Sequence, residues 1–287
     1  MTCTGVTEMD LHERGERLPS ALRQLFFDGG AGRRLSVPLP SGDLVWPDPD
    51  HAQHQTPTRP AYWLTDEPPG AGLWTRLRAE HHRSGLWPLV MDDSTQPWSA
   101  GQVAPEQVDD IDTYRPAAFM SEVWADWVEP QGHEDEDDFE DLAPFRRECP
   151  GLAPPGELME DPDVVADWYA GILDDGSMPL GLVAVGRGAD ALAVMGWQGA
   201  VNHNKWTAPL SAVVRGWEDR FGVRVVRLGF DTLDLSVAAP PMTTDHALRV
   251  AAEHWAFCPD NIVQGPETLT GYAESIRGRN SWSFWWD

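Results

Sequence analysis

The chain has 287 residues, 41% of them hydrophobic, and sets 46 acidic side chains against 21 basic ones for a formal net charge of −25. That length and apolar content suffice for one large folded unit or two modest ones. The charge excludes nucleic-acid recognition, which needs a basic face for phosphates, and disfavours anionic membrane surfaces; basic proteins are the partners such a field attracts.

From the N-terminus, the first residues show no basic start followed by an apolar stretch, so the expectation is a cytoplasmic protein without a secretory signal. No apolar run reaches the roughly 18–20 residues of a membrane span. Cys3, Cys149 and Cys258 are odd in number and far apart, which fits a reducing compartment rather than a disulfide framework. Residues 1–60 read as an irregular segment. It has a short helix over Leu18–Phe27 stopped by Gly29-Gly30, an edge hairpin within Arg34–Trp46, and a proline- and histidine-rich loop to Pro60.

Residues 61–128 read as an α/β subdomain. Ala61–Thr65 is a strand, Leu73 to about His82 a helix and Leu86–Met91 a second strand, an order that predicts a βαβ crossover with the two strands paired in parallel. Pro116–Val128 carries Phe119, Val123, Trp124 and Trp127 at helical spacing. Residues 129–160, with the acidic block 133–141 and Pro144, Pro150, Pro154 and Pro155, read as a solvated linker or surface loop.

Residues 161–287 read as a C-terminal α/β domain. Helices are predicted over Val164–Leu173, Ala189–Met195, Pro209–Phe221, from Thr243 or Thr244 to Phe257, and over Glu267–Ile276. Strands are predicted over Leu180–Val185, Val223–Phe230 and Thr232–Val237. Trp282, Phe284 and Trp286 share one parity, so the tryptophan-rich end is expected to be a strand docked in the core. The fold class is α/β (or α+β): a mixed sheet flanked by helices.

The segments Gly196-Trp197-x-Gly199, Trp217–Gly222, Asp231–Leu235, Ala239–Pro241 and Ala256-Phe-Cys-Pro-Asp260, with Gln264-Gly265, Thr268-Leu269 and the closing Phe284-Trp-Trp-Asp287, resemble the bacterial domain of unknown function 4253. The likeness spans about residues 178–287 and is strongest to actinobacterial members. It implies no activity, cofactor or catalytic residue. Asn202-His-Asn204 stands where the resemblance leads one to expect a shorter polar turn.

Several residues carry candidate chemistry, each beside a plainer reading. Gly186-Arg-Gly188-Ala-Asp-Ala191 follows a strand and opens a helix, the arrangement that lets backbone amides approach a pyrophosphate. No acid that would bind a ribose ends a second strand at the required distance, and an ordinary strand-to-helix turn explains the same residues. His254 and Cys258 are spaced i, i+4 with Asp260 following, a partial zinc set. Ala247, Val250 and Ala251 share the stripe of His254, which reads equally as core. Asp231, Asp234 and Glu253 are candidates for acid–base work or a divalent ion, although Asp231 also suits a tight turn. Asn202, His203, Trp206 and Trp285 form the polar-aromatic set from which a binding cleft would be built. No cofactor is predicted. The leading expectation is a non-enzymatic acidic protein-binding module for a basic protein, possible forms including an immunity or antitoxin-like protein. The alternatives are a metal-dependent hydrolase using the C-terminal polar groups and a nucleotide-sensing subunit.

Overall fold

The computed structural model describes residues 17–51, 57–129 and 136–287. It contains one seven-stranded mixed sheet in the order β1-β2-β4-β3-β5-β6-β7. In chain order the elements are β1 (Gly42–Val45), β2 (Tyr62–Thr65), α1 (Leu73–Ala79), α2 (His81–Ser84), β3 (Leu86–Met91), α3 (Val108–Thr113), α4 (Pro116–Val128) and α5 (Pro162–Leu173). There follow β4 (Leu180–Ala184), α6 (Ala191–Met195), α7 (Ala208–Phe221), β5 (Arg224–Leu228), β6 (Thr232–Ser236), α8 (Thr244–Phe257), α9 (Asp260–Val263), α10 (Leu269–Ile276) and β7 (Ser281–Trp285).

The chemistry of the helix ends is local. Asp161, Thr243 and Thr268 each cap a helix by accepting an amide from Asp163, His246 and Gly271 respectively. Pro116 and Pro162 open α4 and α5, where the missing N–H costs nothing. The N-terminus of α7 is capped from a distance instead: the Glu106 carboxylate accepts the Thr207 amide at 2.6 Å and the Ala208 amide at 3.1 Å. That site is desolvated enough to raise the Glu106 pKa.

The sheet differs from the expected crossover. β2 and β3 do run in the same direction, but they are not neighbours: β4 lies between them, antiparallel to both. The parallel pair in the sheet is β3 with β5. The reason is that β4 is apolar along its length and buried on both sides, so the central position is where it loses least exposed backbone and most apolar surface. The segments 61–128 and 161–287 therefore contribute strands to one sheet; a main core cluster runs from Leu18 to Trp286, with a small second one of Ile111, Ala193, Ala208 and Ala212.

Three local expectations are corrected. Leu18–Phe27 forms only a 3-10 turn over Leu22–Leu25, with Leu18, Leu22 and Leu25 buried. Arg34–Trp46 forms no hairpin; β1 pairs with β2 as an edge strand, Val45 opposite Tyr62. Glu136–Leu142 winds into 3-10 turns kinked at Phe139 and buries Leu142, so this stretch of the expected linker packs onto the core; the block's residues 133–135 lie outside the described residues. Three short elements, α3, α9 and a 3-10 turn at Trp98–Ala100, were not expected.

The tryptophan-rich end is an edge strand. β7 pairs antiparallel with β6, Leu235 opposite Trp282 and Leu233 opposite Phe284. Trp282, Phe284 and Trp286 are buried while Ser283 and Trp285 face outward. Phe284 stacks on Trp217 of α7 with a centroid separation of 5.5 Å and lies edge-on to Phe257 of α8 at 4.9 Å. Because Phe284 is fully buried among rings that cannot collapse into its space, Phe284→Ala is expected to cost about 3–5 kcal/mol in urea denaturation. Ser283→Ala, on the outward parity, is expected to shift stability by less than about 0.5 kcal/mol.

Candidate functional site

The residues that sequence reasoning singled out fall into separate settings. Asp234 and Glu253 are each buried and each taken up by an arginine. Arg227 Nε donates to Asp234 at 2.6 Å and the Tyr169 hydroxyl donates to it at 3.1 Å. Glu253 receives Arg220 through two bonds of 2.7 Å, the Trp217 indole N–H at 2.9 Å and the Ala153 amide at 2.7 Å. With its lone pairs so occupied, Glu253 anchors the 150–155 stretch to α7 and α8. Asp231 sits at the β5–β6 turn, where its carbonyl accepts the Trp286 amide at 3.1 Å.

His254 is fully buried among Trp217, Trp282, Phe284 and Tyr272, with centroid distances of 4.4–5.7 Å. Its Nδ1 bonds the Tyr272 hydroxyl at 3.1 Å, and Nε2 has no partner. Burial, with the Arg220 charge adding, holds the imidazole neutral with a pKa well below its ordinary range. Cys258 donates to the Trp285 carbonyl at 2.9 Å, and burial pushes its thiol up to about 12. Asp260 binds the His203 Nε2 at 3.0 Å and the Asp287 amide at 3.0 Å. His254, Cys258 and Asp260 therefore point at three different partners. Among the described residues no group of three or more His, Cys, Asp and Glu side chains is placed to hold a metal ion.

The polar-aromatic set converges in part. Asn202 donates to the Asp287 carbonyl at 3.2 Å and His203 meets Asp260, so the 202–203 loop, α9 and residues 285–287 form one polar clasp. Trp285 belongs to it through its amide, which donates to Asn261 at 3.0 Å. Trp206 is exposed beside this loop's end with Lys205 Nζ 5.2 Å from its ring centroid. At the Gly186–Gly188 turn, Gly188 lies against the Trp87 indole so closely that a Cβ would collide with the ring. Arg187 is bonded to Asp219 at 2.6 Å. The close approach that Gly188 permits is thus to an indole.

The surface feature best suited to recognition lies on α5, which sequence reasoning placed but did not single out. Its inner residues Val165, Ala166, Tyr169 and Ala170 pack into the core. Its outer residues Val164, Trp168 and Ile172, at i, i+4 and i+8, are 52%, 55% and 57% exposed. Leu158 and Met159, in the segment leading into the helix, are exposed as well. From Glu148 to Gly186 the chain has no lysine, arginine or histidine, and it carries Glu157, Glu160, Asp161, Asp174 and Asp175 before and after the helix. The result is an apolar stripe with acidic ends. Solvent-facing helix surfaces are ordinarily polar, so three large apolar groups at this spacing are unusual.

Residues 179–287 match a family described as a domain of unknown function, DUF4253. Neither the curated proteins nor the solved structures contain a match to the chain. The matched region takes in β4 to β7 and leaves out β3, α1 and α5. No helix among the described residues is long and apolar enough to cross a membrane.

Two outcomes follow from this arrangement. Within the sheet, β4 touches the other matched strands only through β3, so residues 179–287 expressed alone are expected to lack a cooperative thermal transition. Residues 57–287 are expected to recover one in calorimetry. Secondly, His254 is neutral in the folded protein and takes up a proton at about pH 6.5 once unfolded, so its contribution falls as pH drops below that value. Between about pH 6.5 and 5, His254→Phe is expected to flatten the stability profile by close to one proton, about 1.4 kcal/mol per pH unit, as read by denaturation at several pH values.

Proposed function

We propose that the protein is a non-enzymatic binding module of the cytoplasm whose α5 face docks a basic protein partner. The observation that carries this reading is the exposed Val164–Trp168–Ile172 stripe flanked by acidic residues. Tryptophan in the centre of an apolar patch is the typical anchor of a protein interface, and acidic ends draw a basic surface while setting its orientation. Asp234 and Glu253, the strongest catalytic candidates by burial, are each bonded to an arginine, which favours binding over acid–base chemistry. One concrete form is an immunity or antitoxin-like protein that occludes the basic face of its target.

Capture with an N-terminally tagged chain, at low and at high salt, tests the proposal. The control is the triple variant V164S/W168S/I172S, which alters solvent-facing residues and is expected to retain the wild-type melting temperature. The expected result is one basic protein recovered stoichiometrically, weakened by salt, and lost with the triple variant. Trp168→Ala alone is expected to weaken its binding by at least about 30-fold, a loss of roughly 2 kcal/mol. A partner retained equally by the triple variant would place recognition elsewhere, and recovery of no basic protein at either salt would overturn the reading.

A further inference from the structure

A cavity of about 450 Å³ opens between the 25–33 stretch, Arg59, the start of α3 and the end of β4. Its charged lining consists of the Arg33 and Arg59 guanidiniums together with the exposed carboxylates of Asp28 and Asp109. The ion pairs of the described residues engage Arg78, Arg187, Arg215, Arg220, Arg224 and Arg227 with carboxylates, but neither Arg33 nor Arg59.

Both groups are held in place by other means. Arg59 lies over the Phe27 ring at 3.8 Å from its centroid and donates to the Leu25 carbonyl at 3.0 Å. Arg33 lies over Phe26 at 4.4 Å and rests on Gly85, whose left-handed backbone (φ 68°) leaves a space that a Cβ would take from the guanidinium. The buried Nε of Arg33 has no hydrogen-bond partner. Burial also lowers the pKa of Arg59, a sign that its charge lacks compensation. A guanidinium held over a ring can keep N–H groups on its edge for an oxyanion, and the ones Arg59 does not give to Leu25 are available for that. Asp28 and Asp109 also line the cavity; both are exposed, and Asp28 Oδ1 accepts the Gly30 amide at 2.8 Å, so the guanidinium ends inside the cavity are the groups an anion would meet. Leu25, Val194 and Ala184 supply apolar wall.

We propose that this cavity binds a small organic anion, with its carboxylate or phosphate head on Arg33 and Arg59 and an apolar body against Leu25 and Val194. The site stands on residues away from the α5 face and is independent of the docking proposed there.

Titration calorimetry and thermal shift of the full chain with benzoate, phenyl phosphate, neutral benzamide and inorganic phosphate test it. Saturable binding of benzoate or phenyl phosphate is expected, and whichever binds tighter identifies the head group. Benzamide and inorganic phosphate are each expected to bind at least about 10-fold more weakly, the first lacking the charge and the second the apolar body. Arg33→Met and Arg59→Met are each expected to weaken the better anion by at least about 10-fold. Should either variant fail to fold, Val108→Trp serves instead, since this half-exposed lining residue would fill the mouth without touching either arginine. No saturable binding of either organic anion up to about 10 mM, benzamide binding as tightly, or binding unchanged in Arg59→Met and Val108→Trp would each overturn the proposal. Inorganic phosphate binding as tightly as phenyl phosphate would overturn the assignment of an organic ligand.

Discussion

The insertion of β4 between β2 and β3 is the constraint on which the rest of the structure depends. Leu64 pairs with Gly181 and Val90 with Leu180, so two strands distant in sequence from β4 both use its backbone. Without β4, β2 and the edge strand β1 lose their hydrogen-bonded link within the sheet to β3 and the strands beyond it. The turn after β4 fixes the next layer: Gly188 lets the Trp87 indole approach, and that indole donates to the Val225 carbonyl at 2.9 Å. One strand thus sets the sheet order, and the turn that follows it ties β3 to β5.

On the β7 side, order comes from aromatic packing and from buried charges with complete sets of partners. His254 fits among Trp217, Trp282 and Phe284 only as the neutral imidazole. Next to it, the buried Glu253 carboxyl group is bonded by Arg220, the Trp217 indole and the Ala153 amide. A buried ion pair of this kind contributes less to net stability than an apolar replacement would in many proteins, and its better-attested role is to specify one arrangement. Here it fixes where the 150–155 stretch crosses α7 and α8. The exact pairing also explains why acids in this region are poor candidates for proton transfer: their oxygens are already committed.

What was legible in the sequence was mostly local. Caps at Thr243 and Thr268, proline at the start of α4, and the parity of Trp282, Phe284 and Trp286 depend on neighbours in the chain, and the structure places these elements within a residue or two of their expected positions. The β2–β3 pairing was misjudged because a strand about 115 residues away, between Thr65 and Leu180, competes for the same edge. The pairing of Glu253 with Arg220 was invisible for the same reason, as 33 residues separate them. In the polar-aromatic set, His203 and Asn202 gave a signal by composition, but that they meet Asp260 and Asp287 depends on where α9 and β7 end. The α5 stripe posed a different problem. Val164, Trp168 and Ile172 form one helical row, and Val165, Ala166, Tyr169 and Ala170 form another just as apolar. Periodicity alone cannot tell which of two apolar rows faces water.

The polar flank of α5 decides that question and also bears on how the stripe acts. Arg78 of α1 binds Asp167 through two bonds of 2.9 and 2.6 Å and reaches Asp163 at 2.9 Å, while Arg224 of β5 donates to Asp163 at 3.0 Å. These bonds hold one edge of the helix to α1 and to the sheet, so rotating it to bury Trp168 would break all of them and expose Tyr169, which is bonded to Asp234. The outer row is therefore held outward by the same contacts that bury the inner one. A rigidly mounted apolar row loses little conformational entropy when a partner covers it, because the backbone and helix orientation are already fixed before the encounter. The two partly exposed acids that tie the helix down are neutralised by Arg78 and Arg224, which leaves the unpaired charges at its ends. In the docking proposed above, a basic surface would meet those end charges first and the tryptophan between them second, the order that favours fast, oriented association followed by apolar burial.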